Sequence, residues 1–157
     1  VGSEMCIRDR SVSAHAPIIG SPAYDPTTDA VYALTSDGWL YAFDAATGTP
    51  LSFYPQRLIA DAPVVKAALR VLTRTDRKVP YVYLAAQLDT GGILTTRVLQ
   101  VTAFNPFNRF YSTSVMDGAV LGDALLFTGA GASDLMLVWC WSGGEGNRGR
   151  FYGFRLR

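Results

Sequence analysis

The sequence predicts an all-β globular fold, and three features of its composition support that prediction. Apolar residues make up 49% of the chain and charged residues only 17%, whereas a disordered chain combines low hydrophobicity with high net charge. Lysine and glutamate, which are common on exposed helix surfaces, occur only twice each. In addition, 15 glycines and 8 prolines provide many positions at which short strands could turn.

Size and charge restrict the class of protein further. The 157 residues are enough for one domain with a sizeable core. The formal net charge is only +1, so we expect no nucleic-acid partner, since proteins of that class are strongly basic. The most apolar window, Ala119–Trp141, contains Asp123 and Asp134, whereas a span needs roughly 20 nearly uninterrupted apolar residues. We therefore expect no membrane span.

The first ten residues differ in character from the rest of the chain. Residues 1–10 resemble the in-frame translation of a transposon-based sequencing adapter, whose end encodes the run Met-Cys-Ile-Arg-Asp found at Met5–Asp9. We expect them to lie outside the fold, and we expect residues 11–157 to be a fragment that lacks its true N-terminus. Only Cys140 and His15 then remain of their types, which excludes an intrachain disulfide, a cysteine-based metal site and a histidine cluster.

The clearest local signal is a β-hairpin between residues 31 and 43. Val31–Leu34 and Trp39–Phe43 are short runs rich in aromatic and β-branched residues, and they flank the dipeptide Asp37-Gly38. Asp-Gly between two apolar runs favours a tight hairpin turn, because both residues tolerate a positive φ. After the second strand, the segment Asp44–Gly48 predicts a closing turn in which the aspartate accepts backbone amides and the glycine is left-handed.

This hairpin pattern recurs twice at spacings of about 50 to 60 residues. Each copy has an apolar strand before it, and the first two copies have a candidate fourth strand after them. The second hairpin is predicted at Tyr81–Ala86 and Arg97–Asn105 around Thr90–Gly92, and the third at Leu135–Trp141 and Arg150–Leu156 around the glycine-rich run 143–149. The preceding strands are predicted at Ile18–Tyr24, Ala62–Val65 and Gly118–Leu121, and the fourth strands at Leu51–Tyr54 and Phe110–Val115.

Three or four strands per copy, repeated along the chain, predict part of a β-propeller with about three blades. The blades would cover roughly residues 17–56, 57–115 and 116–157. One segment, Ala62–Arg74, also fits an amphipathic helix with Asp61 as its N-cap. The strand interpretation is favoured there because the repeat requires a strand at that place, and the helix remains the alternative.

The first copy resembles a known family, the quinoprotein-like (PQQ-type) β-propeller repeats. In that family a blade ends in Ala-x-Asp-x-x-Thr-Gly-x-x-x-Trp, preceded by Asp-Gly-x-x-Tyr. At the place of the family's docking tryptophan stands Ser52, with Phe53 beside it, so the resemblance does not extend to that residue. The matching positions, which we predict to be a structural repeat motif, are Asp37, Gly38, Trp39, Tyr41, Ala42, Asp44, Thr47 and Gly48.

No catalytic, cofactor-binding or metal-binding residue is predicted from the sequence. A calcium site needs six to eight oxygen ligands, and the candidate carboxylates have no partners at a suitable spacing. We therefore expect Asp61, Asp89, Asp117 and Asp123 to serve in loops and turns. The single histidine has no serine or cysteine in a recognisable triad context, so nucleophilic catalysis has no support.

The resemblance implies a non-catalytic propeller module that binds another protein or a small ligand through blade loops. It leaves two alternatives: a fragment of an alcohol or sugar dehydrogenase that uses PQQ and calcium, and a sensor or carbohydrate-binding propeller. The resemblance also implies a periplasmic or extracellular location. The fold alone does not decide among these functions, because propellers host many activities.

Overall fold

The computed structural model describes residues 13–74, 79–103, 109–115, 119–127, 134–142 and 148–156, with side chains for residues 13–73 and 80–103. Within these ranges the chain forms eleven β-strands and no helix, as predicted. None of the described segments is therefore a helix of the length and hydropathy that crossing a membrane requires. The strands form three antiparallel sheets that follow one another along the chain.

The first sheet contains the hairpin predicted around Asp37-Gly38. Its strands are β1 (Ala23–Asp25), β2 (Ala30–Leu34), β3 (Trp39–Asp44) and β4 (Gln56–Arg57), hydrogen-bonded in chain order. In the β2–β3 hairpin Leu34 lies opposite Leu40, and Gly38 in the turn has a φ of 83°. The hairpin prediction is thus confirmed, and the positive φ explains why glycine follows the aspartate.

Two strand predictions in the first repeat were wrong. The segment Leu51–Tyr54 forms a turn, closed by a 3.2 Å hydrogen bond from the Tyr54 amide to the Leu51 carbonyl. An isolated bridge joins Pro50 to Phe43 of β3 before this turn, and a paired strand, β4, forms only after it, at Gln56–Arg57. Phe53 has a φ of 73°, which interrupts an extended backbone. Of the predicted strand Ile18–Tyr24, only its last two residues belong to β1, because Gly20 has a φ of 79°.

The second sheet consists of longer strands than the first. It contains β5 (Val64–Arg74), β6 (Val79–Thr90), β7 (Ile93–Thr102) and β8 (Arg109–Val115), again in chain order. The ambiguous segment Ala62–Arg74 is a strand from Val64 onward and pairs with β6 along its length, so the strand interpretation is confirmed. Between β6 and β7 the chain turns on Gly91 and Gly92, whose φ angles are 64° and 89°.

The third sheet is formed by β9 (Ala119–Phe127), β10 (Asp134–Ser142) and β11 (Arg148–Leu156), in the order β11-β10-β9. Its hairpin β10–β11 pairs Asp134 with Leu156 and Ser142 with Arg148, which confirms the predicted third hairpin. The predicted fourth strand of the second copy also forms, as β8. Most of the glycine-rich run, residues 143–147, lies outside the described residues, as does Gly118.

The main core lies between the first and second sheets. Tyr32, Leu34 and Leu40 of the first sheet pack in one cluster with Leu84 and Leu99 of the second, and all five are at most 1% exposed. Burying each such side chain stabilises the fold by about 1.5–3 kcal/mol. Strand β9 of the third sheet also contacts β5, β6 and β7. The three sheets thus succeed one another in space as they do along the chain.

A buried carboxylate also links the first two sheets. Asp25 at the end of β1 is 1% exposed and accepts hydrogen bonds from the Thr27 amide at 3.1 Å and from the Thr28 hydroxyl at 2.7 Å. A third bond, of 3.0 Å, comes from the Thr73 hydroxyl on β5. Three donors offset the cost of removing the carboxylate from water. The first strands of the two sheets, β1 and β5, are therefore held side by side.

Candidate functional site

A cleft of about 340 Å3 opens where the turn after β3 meets the end of β7. Its walls come mainly from the segment that the sequence predicted to be a fourth strand. Two tyrosines, one leucine and one phenylalanine make most of the surface, together with a serine and a threonine, and none of these described lining residues is charged. The lining residues are Thr28, Tyr32, Leu51, Ser52, Phe53, Tyr54 and Ala103.

Tyr54 joins the two sheets at the floor of this cleft. Its hydroxyl donates a 2.5 Å hydrogen bond to the carbonyl of Ala103, just after β7. Its ring meets the buried ring of Tyr32 edge to face, with the centroids 6.0 Å apart. Burial raises the pKa of Tyr54 well above its ordinary value. The phenol therefore keeps its proton at neutral pH and remains a donor to the second sheet.

Phe53 forms the rim of the cleft and is held in an unusual conformation. Its side chain is 66% exposed and its φ of 73° lies in the left-handed region. The side-chain amide of Gln56 donates a hydrogen bond to the Phe53 carbonyl and holds this turn. A bulky residue in this region costs about 1–3 kcal/mol, and such strain clusters at binding and active sites. Phe53 therefore combines backbone strain with an apolar ring turned toward solvent.

Ser52 lines the same cleft, at the position where the family motif has tryptophan. A small side chain there leaves space between the rims of the two sheets. The sequence predicted that the docking residue would be missing, but it gave no sign that Tyr54, two residues further on, makes the contact between the sheets. The only feature of the sequence that could have indicated this contact is the hydroxyl group on the Tyr54 ring, since a tyrosine hydroxyl usually finds a hydrogen-bond partner when its ring is buried.

The repeat-motif residues in the closing turn have the local roles that the sequence predicts. Asp44 Oδ1 accepts hydrogen bonds from the Thr47 amide and hydroxyl, both at 2.7 Å. The Gly48 amide donates to the Asp44 carbonyl at 2.8 Å, and Gly48 has a φ of 72°. Ala42 is fully buried in the core between the sheets. These four residues shape the closing turn and the core, and none lines the cleft.

The other half of the motif surrounds His15, a residue for which the sequence predicted no functional role. The imidazole is hydrogen-bonded through Nδ1 to the Tyr41 hydroxyl, and its Nε2 lies 3.3 Å from Asp37 Oδ2. Trp39 meets the imidazole edge to face, with the ring centroids 5.4 Å apart. His15 is therefore part of a mixed cluster, although it forms no cluster of histidines. Its distance along the chain, 26 residues from Tyr41, concealed the contact.

The candidate carboxylates are placed in structural roles where their side chains are described. Asp89 accepts a 2.7 Å hydrogen bond from the Gly92 amide in the turn between β6 and β7. Asp61 makes a two-pronged ion pair with Arg97, with N–O distances of 2.8 and 2.5 Å. Asp117 lies outside the described residues. The loop or turn position predicted for Asp123 was wrong, because this residue lies within strand β9, where the backbone alone is described. Within the described ranges no three His, Cys, Asp or Glu residues are grouped as metal ligands.

Replacing Asp61 with asparagine should lower stability by no more than about 1 kcal/mol at neutral pH, because the pair is exposed and screened. Hydrogen bonds from Arg97 lower the pKa of Asp61 in the folded chain from 3.8 to about 2. The contribution is therefore fully present above the unfolded value and is lost as the pH falls toward the folded one. Urea unfolding of Asp61→Asn and the parent at about pH 7 and about pH 1.5 checks this. A difference that persists in acid contradicts it.

Comparison with known proteins gives no relative for the chain. No protein-family model, curated protein or solved structure matches it. The function must therefore be argued from the cleft and its surroundings.

Proposed function

We propose that this chain is a β-propeller repeat module that binds another protein or a small ligand, without catalysing a reaction, and that the cleft beside Phe53 is its binding site. The propeller part of the proposal is supported by three antiparallel sheets in which neighbouring strands along the chain pair, and by their succession in space. The resemblance of the first copy to PQQ-type repeats supports it as well.

The observation that carries the binding proposal is the strained, exposed Phe53 at the rim of an apolar cleft. Core packing does not explain this residue, because its ring is 66% exposed. A volume of about 340 Å3 lies at the lower end of the range for small-molecule sites, which is about 300–1,000 Å3. Ring walls favour a flat apolar group, since aromatic pairs gain from edge-to-face and offset contacts.

The described residues that line the cleft carry no charge, which favours a neutral ligand. The nearby carboxylate of Asp25 is buried and already accepts three hydrogen bonds. The Thr28 hydroxyl already donates to Asp25, so the hydroxyl of Ser52 is the point among the described lining residues at which an amide or indole N–H could be recognised. An aromatic side chain of a partner protein, or a small neutral aromatic molecule, fits these conditions.

Titration with N-acetyl-tryptophanamide, followed by amide chemical shifts, tests the proposal. Shifts should saturate and should centre on Phe53, Tyr54 and Ala103. N-acetyl-leucinamide, which offers the same amides without a ring, should bind at least about tenfold more weakly, a difference of about 1.4 kcal/mol. No saturation, or shifts centred away from these residues, contradicts the assignment of the cleft.

Three variants make the test specific to the rim. Phe53→Ala should weaken binding of the tryptophan probe about tenfold or more, as for a residue that carries much of the contact energy. Ser52→Trp should abolish binding by filling the cleft. Ile93→Ala is the matched control, since Ile93 is 64% exposed on the distant β6–β7 hairpin and should leave the affinity unchanged. Equal affinity in all three variants would refute the proposed site.

A further inference from the structure

The cluster around Tyr41 and His15 has a geometry that fits proton transfer from the tyrosine. The Tyr41 hydroxyl accepts a 3.4 Å hydrogen bond from the His15 amide, so its own proton is directed to His15 Nδ1. At the far side of the ring, Nε2 faces Asp37 Oδ2 at 3.3 Å. A neutral imidazole with its proton on Nε2 satisfies both contacts and leaves Nδ1 as the acceptor.

The side chain of Asp37 is held in place by a hydrogen bond, and Asp37 in turn orients the imidazole of His15. The Thr35 hydroxyl donates a 2.6 Å hydrogen bond to Asp37 Oδ1, leaving Oδ2 toward the histidine. Thr35 is fully buried, and its hydroxyl also accepts a 3.2 Å bond from the Trp39 amide. A carboxylate behind an imidazole holds its tautomer and stabilises the imidazolium once a proton arrives. Tyr41 is thus hydrogen-bonded to His15, and Asp37 lies within ion-pairing distance of the other ring nitrogen.

The solvent exposure of Tyr41, His15 and Asp37 favours electron transfer over nucleophilic attack. Tyr41 is only 7% exposed, so its oxygen is poorly placed to attack a bulky substrate. An electron, in contrast, leaves a buried ring without contact between the ring and the acceptor. The imidazole and Asp37 side chains are 49% and 36% exposed, so water solvates the charge that a transferred proton creates.

We propose that Tyr41 is a proton-coupled one-electron donor whose proton acceptor is His15, with Asp37 as the positioning residue. An external one-electron oxidant, such as a high-potential metal complex, takes one electron from the phenol. The phenolic proton moves to His15 Nδ1 as the electron leaves. The products are a neutral tyrosyl radical, an imidazolium paired with Asp37 and the reduced oxidant. Return of one electron and of the same proton restores the starting state.

A second tyrosine in the same chain provides an internal contrast. Tyr54 also donates from its hydroxyl, but its partner is the backbone carbonyl of Ala103, which does not take up a proton at neutral pH. The two phenols therefore differ in whether the hydrogen-bond acceptor is a base. The proposal concerns the face of the first sheet opposite the core and does not depend on ligand binding in the cleft.

Photo-oxidised tris(bipyridine)ruthenium, generated with persulfate, is the oxidant for the test. Radical formation is followed by transient absorption and by electron paramagnetic resonance of the full chain. The fastest tyrosyl component should vanish in Tyr41→Phe and persist in Tyr54→Phe. It should also slow in heavy water, because the proton moves together with the electron. A fast component that survives in Tyr41→Phe would overturn the assignment to Tyr41.

Variants of the histidine test its role as the base. His15→Gly should slow the oxidation of Tyr41 about 100-fold, at the lower end of what a positioned base contributes, and added imidazole should restore the rate. Asp37→Asn, which keeps the shape of the side chain, should slow it less and should not respond to imidazole. Rescue distinguishes a base from a structural support. Unchanged rates in His15→Gly, or slow rates that imidazole does not restore, would overturn the proposal.

Discussion

Gly38→Ala is expected to destabilise the chain by at least about 3 kcal/mol, a large part of the roughly 5–15 kcal/mol that stabilises a typical domain. Gly38 has a φ of 83°, and a Cβ added there would fall on the backbone carbonyl of Ile59. The Gly38 carbonyl also accepts the amides of Leu58 and Ile59 at 2.9 and 3.2 Å, so the two segments are in register at this point. Because the added methyl group would meet backbone atoms rather than a flexible side chain, neither segment can easily move to accommodate it.

Gly91→Ala is the matched control for this substitution. Gly91 also has a positive φ, of 64°, but an added Cβ would meet nothing within 4 Å. Its cost should be confined to the left-handed backbone, about 1–2 kcal/mol. Chemical unfolding of both variants measures the difference directly. Equal losses in the two variants would show that residues 58–59 do not lie against the Gly38 turn as described.

Tyr54→Ala is expected to lower the free energy of unfolding by up to about 3 kcal/mol, the lower end of the range for truncating a core aromatic residue, because Tyr54 is partly buried. The variant removes the ring that lies against Tyr32 and the hydrogen bond to Ala103. Tyr54→Phe keeps the ring and should cost only about 0.5–1.5 kcal/mol, the net contribution of one hydrogen bond. The step between the two variants measures how much of the contact between the sheets depends on packing.

Phe53→Ala supplies the control for Tyr54→Ala in the adjacent position. The Phe53 ring is 66% exposed, so its truncation should change the free energy of unfolding by less than about 0.5 kcal/mol. The same variant should lose affinity for the aromatic probe. Of these two neighbouring aromatic residues, Tyr54 would then contribute mainly to stability and Phe53 mainly to binding. A stability loss in Phe53→Ala as large as that in Tyr54→Ala would contradict the assignment of their roles.

The elements that the sequence predicted correctly are those whose signals are local. Asp37-Gly38 between two apolar runs defined the first hairpin, and Gly91-Gly92 lay within the loop predicted for the second. The spacing of Asp44, Thr47 and Gly48 defined the closing turn in the same way. In each case the residues that interact lie within five positions of each other, and the backbone angles required favour glycine. For Ala62–Arg74 the apolar pattern fits both a strand and an amphipathic helix, and the strand was favoured only because the repeat requires one at that place.

The candidate site was not predictable, because it depends on contacts between distant parts of the chain. The apolar run Leu51–Tyr54 suggested a strand, yet Phe53 adopts a left-handed backbone and Tyr54 reaches a residue 49 positions away. His15 likewise meets partners on β3 that no spacing rule connects to it. Tertiary contacts of this kind override the local preference for an extended strand.

The first two sheets pack against each other through one shared core and leave an apolar cleft beside Tyr54. The most direct test is a set of nuclear Overhauser contacts between the sheets in solution. Stacking as described predicts contacts from the Tyr54 ring to the methyl group of Ala103. The hydroxyl contact between Asp25 and Thr73 predicts nearby contacts from β1 to β5 as well. Contacts within each sheet without any between the two sheets would contradict the stacking and, with it, the cleft.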